Sequence, residues 1–272
     1  MYKADQQLDF CLLIPCYNNL AGLILSLKTV NYDPKKFLIV IVDDGSDVPV
    51  AIGVIKSEVA IFNNVTILRN PENLGITAAL NKGLEWIEEN ARPKYIARLD
   101  CGDLCDSSRF YKQVSYMDNH AHTNLVGSWC IFENKKTSLK YHYTTPTSDQ
   151  QIRKAMHFRN VFIHPTVIFK ASSLKETGYY PGNFMYVEDY AFFWKLINVG
   201  SVHILGEFLV TCEINNEGIS LKNRPHQLRG RSRVVSEYGT NFLWKTVGLM
   251  KIKVLFVLPK WLILRLKKLI YL

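Results

Sequence analysis

Short apolar runs alternate with longer amphipathic segments along the first part of the chain. The runs at 9–17 and 37–42 are almost continuously apolar, which is typical of strands buried on both faces of a parallel sheet, and residues 65–70 and 95–99 are further strand candidates. Between them, apolar side chains recur at helical spacing in residues 19–30, 48–60 and 70–90. This alternation predicts right-handed crossovers and an α/β fold, with a Rossmann-like, mostly parallel sheet flanked by helices.

The pattern becomes mixed after residue 110. It predicts helices near 107–120 and 188–199, and strands at 124–132, 161–170 and 202–214. From residue 216 the composition changes again, first to a basic loop and helix and then to a tail without acids. The sequence therefore predicts an α/β domain followed by a helical segment of different chemistry.

The tail, residues 241–272, contains no Asp or Glu. Lysines recur on one helical face of it, at Lys253, Lys260, Lys267 and Lys268. Tryptophan and leucine side chains occupy the other faces, and Pro259 is predicted to divide the segment into two helices. A basic amphipathic tail of this kind is typical of proteins that lie on an anionic membrane surface.

The net charge of +9 comes from 33 lysines and arginines against 24 acids, and it is unevenly distributed. Residues 216–272 hold 12 basic and 2 acidic residues, whereas residues 1–215 hold 21 and 22. A near-neutral first part argues against a nucleic-acid partner that covers the whole surface. It favours an anionic membrane surface, with a phosphorylated ligand held by a few local residues.

The cysteines and the first residues of the chain indicate the compartment. Six cysteines are scattered without the short paired spacings of a zinc site, which suits a reducing cytosol. The first ten residues lack the basic and apolar regions of a signal peptide. Together with the basic tail, these features predict a cytoplasmic protein that is peripheral on the inner face of the cell membrane.

Acids follow two of the predicted strands directly. Asp43 and Asp44 end the second apolar run, and Asp100 and Asp103 end the fourth. Because parallel strands end at the same edge of a sheet, these acids are expected to converge there. Converging carboxylates need a cation or a hydrogen-bonding ligand between them, and a diphosphate with a divalent cation meets that need. An ordinary turn with helix capping is the alternative for Asp43 and Asp44.

An ordered set of motifs resembles the family 2 glycosyltransferases of the GT-A fold, of the bacterial polysaccharide and O-antigen type. The set is IPCYNN, VDDGS, NLGITAALNKG, LDCGD, HPTVIF and VEDYAFFWKL, and the resemblance covers about residues 9–230. It implies a catalytic domain at 1–215, with a nucleotide-sugar half at about 1–105 and an acceptor half at about 106–215. Residues 216–272 are then a basic helical tail that associates with membranes.

The resemblance also implies which residues bind the sugar donor. Asp44, with Asp43, is implied to bind the nucleotide base, and the first strand and the third loop are implied to lie along the nucleotide. Arg98 is either a donor contact or an ordinary surface arginine. The implied donor-binding residues are Pro15, Tyr17, Asn18, Asp43, Asp44, Asn73, Gly75, Arg98, Asp100, Arg229 and Arg231. For Arg229 and Arg231, contact with lipid headgroups is the alternative.

The metal motif of the family departs from its usual form in this chain. It is usually an Asp, any residue, Asp triplet that holds Mn²⁺ or Mg²⁺ across the donor diphosphate. Here the sequence is Asp100, Cys101, Gly102 and Asp103, so the second acid of the triplet is a glycine. Asp100 and Asp103 are the implied ligands, with ribose or sugar hydroxyls as an alternative role for Asp100. The glycine weakens the implied cation site.

The segment YVEDYAFFWKL resembles the part of the family that carries the catalytic base. Asp189 is implied to deprotonate the acceptor hydroxyl, and Glu188 to support it. A structural alternative is that both acids only stabilise a helix N-terminus. His164, in HPTVIF, is implied to lie on the acceptor side, although a histidine before a proline is as often structural.

The function implied is an inverting transfer of a hexose from a nucleotide-diphosphate sugar, with UDP-sugars favoured. The implied acceptor is a hydroxyl of a growing surface polysaccharide or of a glycan linked to polyprenyl diphosphate. One alternative is a nucleotidyltransferase of sugar phosphates, but IPCYNN lacks the glycines and lysine of a phosphate loop. The other alternative is a non-enzymatic basic protein that binds membrane or nucleic acid.

Overall fold

The apolar runs of the first hundred residues form the parallel half of the sheet, as predicted. In this computed structural model, which describes residues 6–59, 64–214 and 224–258, the strands β1 to β4 lie side by side in the order β3-β2-β1-β4 and are all parallel. They are β1 (Gln7–Cys16), β2 (Phe37–Asp43), β3 (Val65–Arg69) and β4 (Arg92–Arg98). The connecting helices are α1 (Leu20–Lys28), α2 (Ile52–Glu58) and α3 (Ile76–Asn90).

The second half of the chain extends the sheet with mixed pairing. The added strands are β5 (Leu104–Cys105), β6 (Thr123–Asn134), β7 (Leu139–Tyr143), β8 (Ile168–Lys170) and β9 (Ser201–Glu213). They complete a nine-stranded sheet of order β3-β2-β1-β4-β8-β6-β9-β5, with β7 paired to β6. The helices of this half are α4 (Arg109–Asn119), α5 (Asp149–Met156), α6 (Leu174–Thr177) and α7 (Glu188–Val199).

The predicted strand at 161–170 is wrong over most of its length. Only Ile168–Lys170 pair with the sheet, and residues His164–Thr166 form a 3₁₀ turn. Pro165 explains the difference, because it has no N–H for a ladder hydrogen bond and its fixed φ suits the first turn of a helix. The turn brings His164 to the edge of the sheet where the predicted site lies.

The two faces of the sheet are covered by separate apolar layers. Along β1, Leu13 packs into one layer with α3 and α7, while Leu12 and Ile14 pack into the other with α1 and α4. The helix α3 lies very close to the sheet at Gly83, where an added Cβ would be 2.3 Å from Leu13 Cδ1. This close approach fixes the start of α3 at the carboxyl edge of the parallel strands.

Two helices, α8 (Arg224–Tyr238) and α9 (Phe242–Val257), follow the sheet domain. Val234 and Val235 of α8 are fully buried, and α9 rests on the carbonyl of His157 at Gly248, where an added Cβ would be 2.0 Å from that oxygen. The predicted domain boundary at 215 and the predicted helix break at Pro259, with Lys260, Lys267 and Lys268, lie outside the described residues. Within the described residues, no helix is long and apolar enough to cross a membrane.

Candidate active site

A cavity of about 830 Å³ opens at the carboxyl edge of β4, between the start of α3, the start of α7 and α8. Asp100 contributes a carboxylate from just after the end of β4, and Glu188 and Asp189 contribute two more from the first turn of α7. The remaining walls are mainly apolar or amide side chains. The residues that line it are Leu74, Gly75, Ile76, Thr77, Ala78, Asn81, Asp100, Asn160, His164, Gly182, Met185, Tyr186, Val187, Glu188, Asp189, Tyr190, Gln227 and Arg231.

Asp189 and Glu188 occupy the first turn of α7, as predicted, and both face the cavity. Asp189 Oδ2 accepts a hydrogen bond from Asn160 Nδ2 at 2.9 Å, which fixes the orientation of the carboxyl group. Burial raises the pKa of Asp189 to about 6, although the nearby charge of Arg231 opposes the shift. Burial, and then the charge of Asp189, raise the pKa of Glu188 to about 7. Both carboxyl groups therefore titrate closer to neutral pH than an ordinary carboxyl group.

Arg98 does not face the cavity, contrary to the prediction that it contacts a donor. Its side chain is completely buried at the end of β4, and its Nη2 donates to Asp100 Oδ1 at 2.5 Å. Nη1 also donates to the carbonyl of Leu13 on the neighbouring strand. Because a buried guanidinium needs acceptors for its donors, these contacts explain why it points into the protein. Arg98 instead positions Asp100 at the floor of the cavity.

His164 lines the cavity and is held by the same buried network. Its Nε2 lies 3.3 Å from Arg98 Nε and 2.9 Å from the hydroxyl of Tyr180. A guanidinium can only donate, so Nε2 must accept, and the imidazole proton is assigned to Nδ1. Burial, and then the charge of Arg98, lower the pKa of His164 to about 3. The imidazole stays neutral at neutral pH and cannot act there as a proton-donating cation.

Asp43 is fully buried and engaged by its own chain, so it is not available as a direct ligand of a nucleotide base. Its Oδ1 accepts from the Ser46 N–H at 2.9 Å, and its Oδ2 accepts from the Val50 N–H at 3.1 Å and pairs with Arg69. Burial by itself raises the pKa of Asp43, but these hydrogen bonds outweigh it and hold the pKa below its usual range. This corrects the donor-binding prediction for Asp43: the residue organises the loop after β2.

Asp44 joins the loops that follow β2 and β3. Its Oδ1 accepts from Asn70 Nδ2 at 2.7 Å and from the Leu74 N–H at 3.1 Å, and its Oδ2 accepts from the Gly75 N–H at 2.9 Å. A carboxylate has about four acceptor positions, so one position on Oδ2 is left for a further donor. The predicted contact of Asp44 with a nucleotide base stays a prediction.

The other predicted donor residues surround this pair of loops. Gly75 lines the cavity, and the exposed Asn73 caps its N–H through Oδ1 at 3.0 Å. Tyr17 is exposed, and Asn18 donates its backbone N–H to Ser46 Oγ at 2.9 Å. Pro15 is buried within β1, so its ring does not reach a ligand. Thus four of these five residues lie on the accessible edge of the sheet.

The acids of the metal motif are not brought together in the cavity. Asp100 faces the cavity with 39% of its side chain exposed, whereas Asp103 is 6% exposed and its Oδ1 accepts the Glu213 N–H at 2.8 Å. Burial, and then the charge of Asp100, raise the pKa of Asp103 well above its usual range. No group of three potential metal-binding side chains occurs among the described residues. This corrects the prediction that Asp103 is a metal ligand.

Gly102 stands where the motif usually has its second acid, and Glu213 lies close to it. Its φ is +103°, a conformation that favours glycine, and an added Cβ would lie 2.5 Å from Glu213 Oε2. The space for a side chain at this position is therefore taken by a carboxylate of β9. These residues do not form a site in which two acids of the motif hold a cation.

The basic residues of α8 face two different places. Gln227 and Arg231, one helical turn apart, line the cavity. Arg229 and Arg233 lie on another face and line a separate groove between α8 and α9. The prediction for Arg231 as a donor residue is compatible with its position, whereas Arg229 does not reach the cavity.

Sequence reasoning missed three residues that organise the site. Asn160, which orients Asp189, lies in a loop without a recognisable motif. Tyr180 contacts His164 and exchanges two backbone hydrogen bonds of 2.9 Å with the side chain of Asn81 on α3. Arg69 was detectable in principle, because it ends β3 in register with Asp43 at the end of β2.

Comparisons with known proteins identify the family. The family model "Glycosyl transferase family 2" matches residues 11–186. The amylovoran biosynthesis glycosyltransferase AmsE of Erwinia amylovora is 32% identical over 200 residues, which cover 70% of each chain. The O-antigen biosynthesis glycosyltransferase WbnJ of Escherichia coli is 32% identical over 123 residues, covering 44% of this chain and 46% of that protein.

Solved structures share the fold at low sequence identity. TarS of S. aureus, residues 1–349 in complex with UDP, has a TM-score of 0.64 at 17% identity. The match covers 90% of this chain and 70% of the TarS chain. The mannosyltransferase PcManGT of Pyrobaculum calidifontis, in complex with GDP-Man and Mn²⁺, has a TM-score of 0.63 at 13% identity. The match covers 91% of this chain and 70% of the PcManGT chain. The chain therefore belongs to glycosyl transferase family 2, and it is a glycosyltransferase with the GT-A fold.

Proposed function

We propose that the chain transfers a hexose from a nucleotide-diphosphate sugar to a hydroxyl group with inversion at the anomeric carbon. The observation that carries the proposal is the placement of Asp189. Its carboxyl group is half-buried, is oriented by Asn160 and faces the cavity that Asp100 also lines. A base with a pKa of about 6 is ionised at neutral pH and still accepts a proton as the transition state forms.

In the proposed reaction, the acceptor oxygen attacks the anomeric carbon from the side opposite the diphosphate. The new C–O bond forms as the bond to the diphosphate oxygen breaks, and the acceptor proton moves to Asp189. Arg231, which lines the same cavity, supplies positive charge toward the departing diphosphate. A single displacement of this kind needs one base, and it reverses the configuration of the sugar.

A UDP-sugar is the favoured donor. TarS, which shares the fold, has been solved with UDP and with UDP-GlcNAc, whereas PcManGT has been solved with GDP-Man. In this chain the exposed edge formed by Tyr17, Asn18 and Asn73 adjoins the cavity at Gly75. We place the nucleotide along that edge, with the remaining acceptor position of Asp44 directed to the base.

The proposed acceptor is a growing surface polysaccharide, or a glycan carried on polyprenyl diphosphate. Its support is the similarity to AmsE and WbnJ, which are named for amylovoran and O-antigen biosynthesis. A lipid-linked acceptor also gives a reason for the basic, acid-free residues 241–272, which we propose contact the anionic inner face of the cell membrane. No nucleic-acid partner is proposed.

A donor screen tests this function. The purified chain is incubated with UDP-, GDP- and dTDP-sugars and a lipid-linked acceptor, with Mn²⁺, Mg²⁺ or a chelator, and nucleoside diphosphate release is measured. We expect release with at least one UDP-sugar, and faster release when the acceptor is present. Release from none of the donors would contradict the proposal, as would formation of a nucleotide sugar from a sugar phosphate and a nucleoside triphosphate.

Placing an acid at position 102 is not expected to create a stronger cation site. Gly102 does not line the cavity that Asp100 faces, and a Cβ there would lie 2.5 Å from Glu213 Oε2. The carboxylate of Gly102→Asp would also lie beside the negative charge of Glu213. Isothermal titration with Mn²⁺ and UDP is therefore expected to show no tighter binding for Gly102→Asp than for the parent chain.

Gly102→Asn is the matched control for this substitution. It has the same shape and the same strain at φ +103°, and it meets Glu213 Oε2 in the same way, but it carries no charge. Its affinity for Mn²⁺ should therefore stay near that of the parent chain. Clearly tighter Mn²⁺ binding by the Asp variant than by the Asn variant would contradict this expectation.

A further inference from the structure

The arginines of α8 face two different surfaces, which are the catalytic cavity and a second basic surface outside it. Arg231 faces the cavity, whereas Arg229 and Arg233 line an open groove of about 440 Å³ between α8 and α9. The groove is also lined by Ser232, Ser236, Glu237 and Phe256. Two guanidinium groups and two hydroxyl groups at one place can donate several hydrogen bonds to phosphate oxygens.

The charge in this groove is only partly neutralised by the protein. Arg233 lies 3.8 Å from Glu237 and donates to the carbonyl of Asn183 at 3.1 Å, so its orientation is fixed. Arg229 is an exposed side chain one turn before it on the same face of the helix. One acid against two arginines leaves the groove with a net positive charge.

The helix α9, beside the groove, exposes an apolar stripe to solvent. Its exposed members follow one another at spacings of four, three, four and three residues, which places them on one face. Between 41% and 85% of each residue is exposed in Leu243, Val247, Met250, Val254 and Val257. The opposite face, with Gly248 and Ile252, is buried against the domain. The stripe is therefore not a part of the core.

The groove and the stripe adjoin each other at the end of α9. Phe256 lines the groove, and the next residue, Val257, belongs to the stripe and lies about 100° further around the helix. The charged residues of α9 are three lysines, at 245, 251 and 253, and the helix has no acid. Pairing two copies of such a helix would bring like charges together. An apolar face flanked by lysines and arginines matches the boundary between the headgroups and acyl chains of an anionic bilayer.

We infer that α9 lies in the surface of an anionic membrane with this stripe inserted, and that the α8–α9 groove binds the phosphate of a lipid headgroup. The inference deepens the proposed function, on which it rests for the lipid-linked acceptor. In this arrangement Arg229 contacts the lipid phosphate and Arg231 contacts the diphosphate of the sugar donor. In this arrangement α8 separates the headgroup layer from the catalytic cavity, so that a lipid-anchored glycan can reach Asp189 while its lipid stays in the bilayer.

Vesicle flotation of the full-length chain tests the inference. We expect the chain to float with mixed phosphatidylcholine and phosphatidylglycerol vesicles and to bind pure phosphatidylcholine vesicles more weakly. Val254→Glu is expected to lower the affinity by about tenfold or more, because it places a carboxylate in the apolar layer of an anionic membrane. Arg229→Gln is expected to lower affinity for the mixed vesicles by about fivefold, and to change the weaker binding to pure phosphatidylcholine less, because choline balances the charge of that headgroup's phosphate.

Matched controls lie on α2, away from the stripe. Val54→Glu introduces the same charge at another exposed valine, and Lys56→Gln removes a positive charge from another exposed side chain. Both are expected to float like the parent chain. Asp189→Asn should also float like the parent, while Val254→Glu should release nucleoside diphosphate at the parent rate without lipid. Loss of activity and loss of flotation therefore report separately on the proposed function and on this inference.

Four outcomes would overturn the inference. The first is that Val254→Glu floats as well as the parent chain. The second is that the parent chain binds both kinds of vesicle equally, which would mean that no anionic headgroup is recognised. The third is that inorganic phosphate releases the chain from mixed vesicles at constant ionic strength, which would mean that the groove binds free phosphate. The fourth is that sedimentation without lipid shows a dimer that Val254→Glu dissociates, which would mean that a second copy covers the stripe.

Discussion

Asp189→Asn is expected to lower the rate of sugar transfer by about a hundredfold to ten-thousandfold, the range that a positioned general base contributes. The amide has the same shape as the carboxyl group but cannot accept the proton of the acceptor hydroxyl. Nucleotide binding should be unchanged, because we place the nucleotide along the exposed edge formed by Tyr17, Asn18 and Asn73. Single-turnover transfer and titration with UDP measure the two effects separately.

The pH dependence of the parent chain gives an independent test of the same residue. Burial raises the pKa of Asp189 from its usual value of 3.8 to about 6. Since only the ionised form can act as a base, kcat/KM is expected to be constant at high pH and to fall as the pH decreases through about 6. Glu188→Gln serves as the control, because it changes the neighbouring carboxyl group and leaves the proposed base in place. A profile that stays flat down to pH 4 would contradict a role for Asp189 as the base.

Arg98→Met is expected to lower the free energy of unfolding by about 3 kcal/mol, near the lower end of the range for breaking a buried ion pair. The substitution removes the donors to Asp100, to the Leu13 carbonyl and to His164 at once. Asp100 is partly exposed, so water can hydrate its carboxylate, and this limits the loss. Water cannot compensate in the same way for the donors lost at the Leu13 carbonyl and at the imidazole nitrogen of His164.

Urea denaturation measures the effect of this substitution. The matched control is Arg92→Met, at the exposed start of the same strand, which is expected to change the free energy of unfolding by less than about 0.5 kcal/mol. The free energy of unfolding of Arg98→Lys should lie between those of Arg98→Met and Arg92→Met, because lysine keeps the charge but lacks the planar set of donors. Equal stabilities of the two methionine variants would show that the buried network contributes nothing to the fold.

The sequence predicted those parts of the fold in which one strong pattern dominates. The continuous apolar runs at β1 and β2 are examples, as is the start of α7, where the helix dipole favours the acids Glu188 and Asp189 in the first turn. By contrast, β7 has the sequence LKYHY and is largely exposed, so it has no apolar run to reveal it. The two residues of β5 are too few to form any periodic pattern.

The roles of charged residues were harder to predict, because sequence does not show which partner a charge meets. Asp43 and Asp44 are neighbours in one motif, yet the carboxylate of Asp43 is fully engaged by the Ser46 and Val50 N–H groups and by Arg69. Arg98 pairs with Asp100, two residues further along the chain, because the strand end turns its side chain into the protein. The division of Arg229 and Arg231 between two surfaces likewise follows from the way α8 packs.

The configuration of the transferred sugar is the most direct test of the proposed mechanism. The parent chain is incubated with an α-linked UDP-sugar and acceptor, and the new linkage is assigned by proton NMR from the coupling constant of the anomeric hydrogen. A single displacement assisted by Asp189 predicts a β-linked product, which Asp189→Asn forms at least about a hundredfold more slowly. An α-linked product, or undiminished transfer by the variant, would contradict the mechanism.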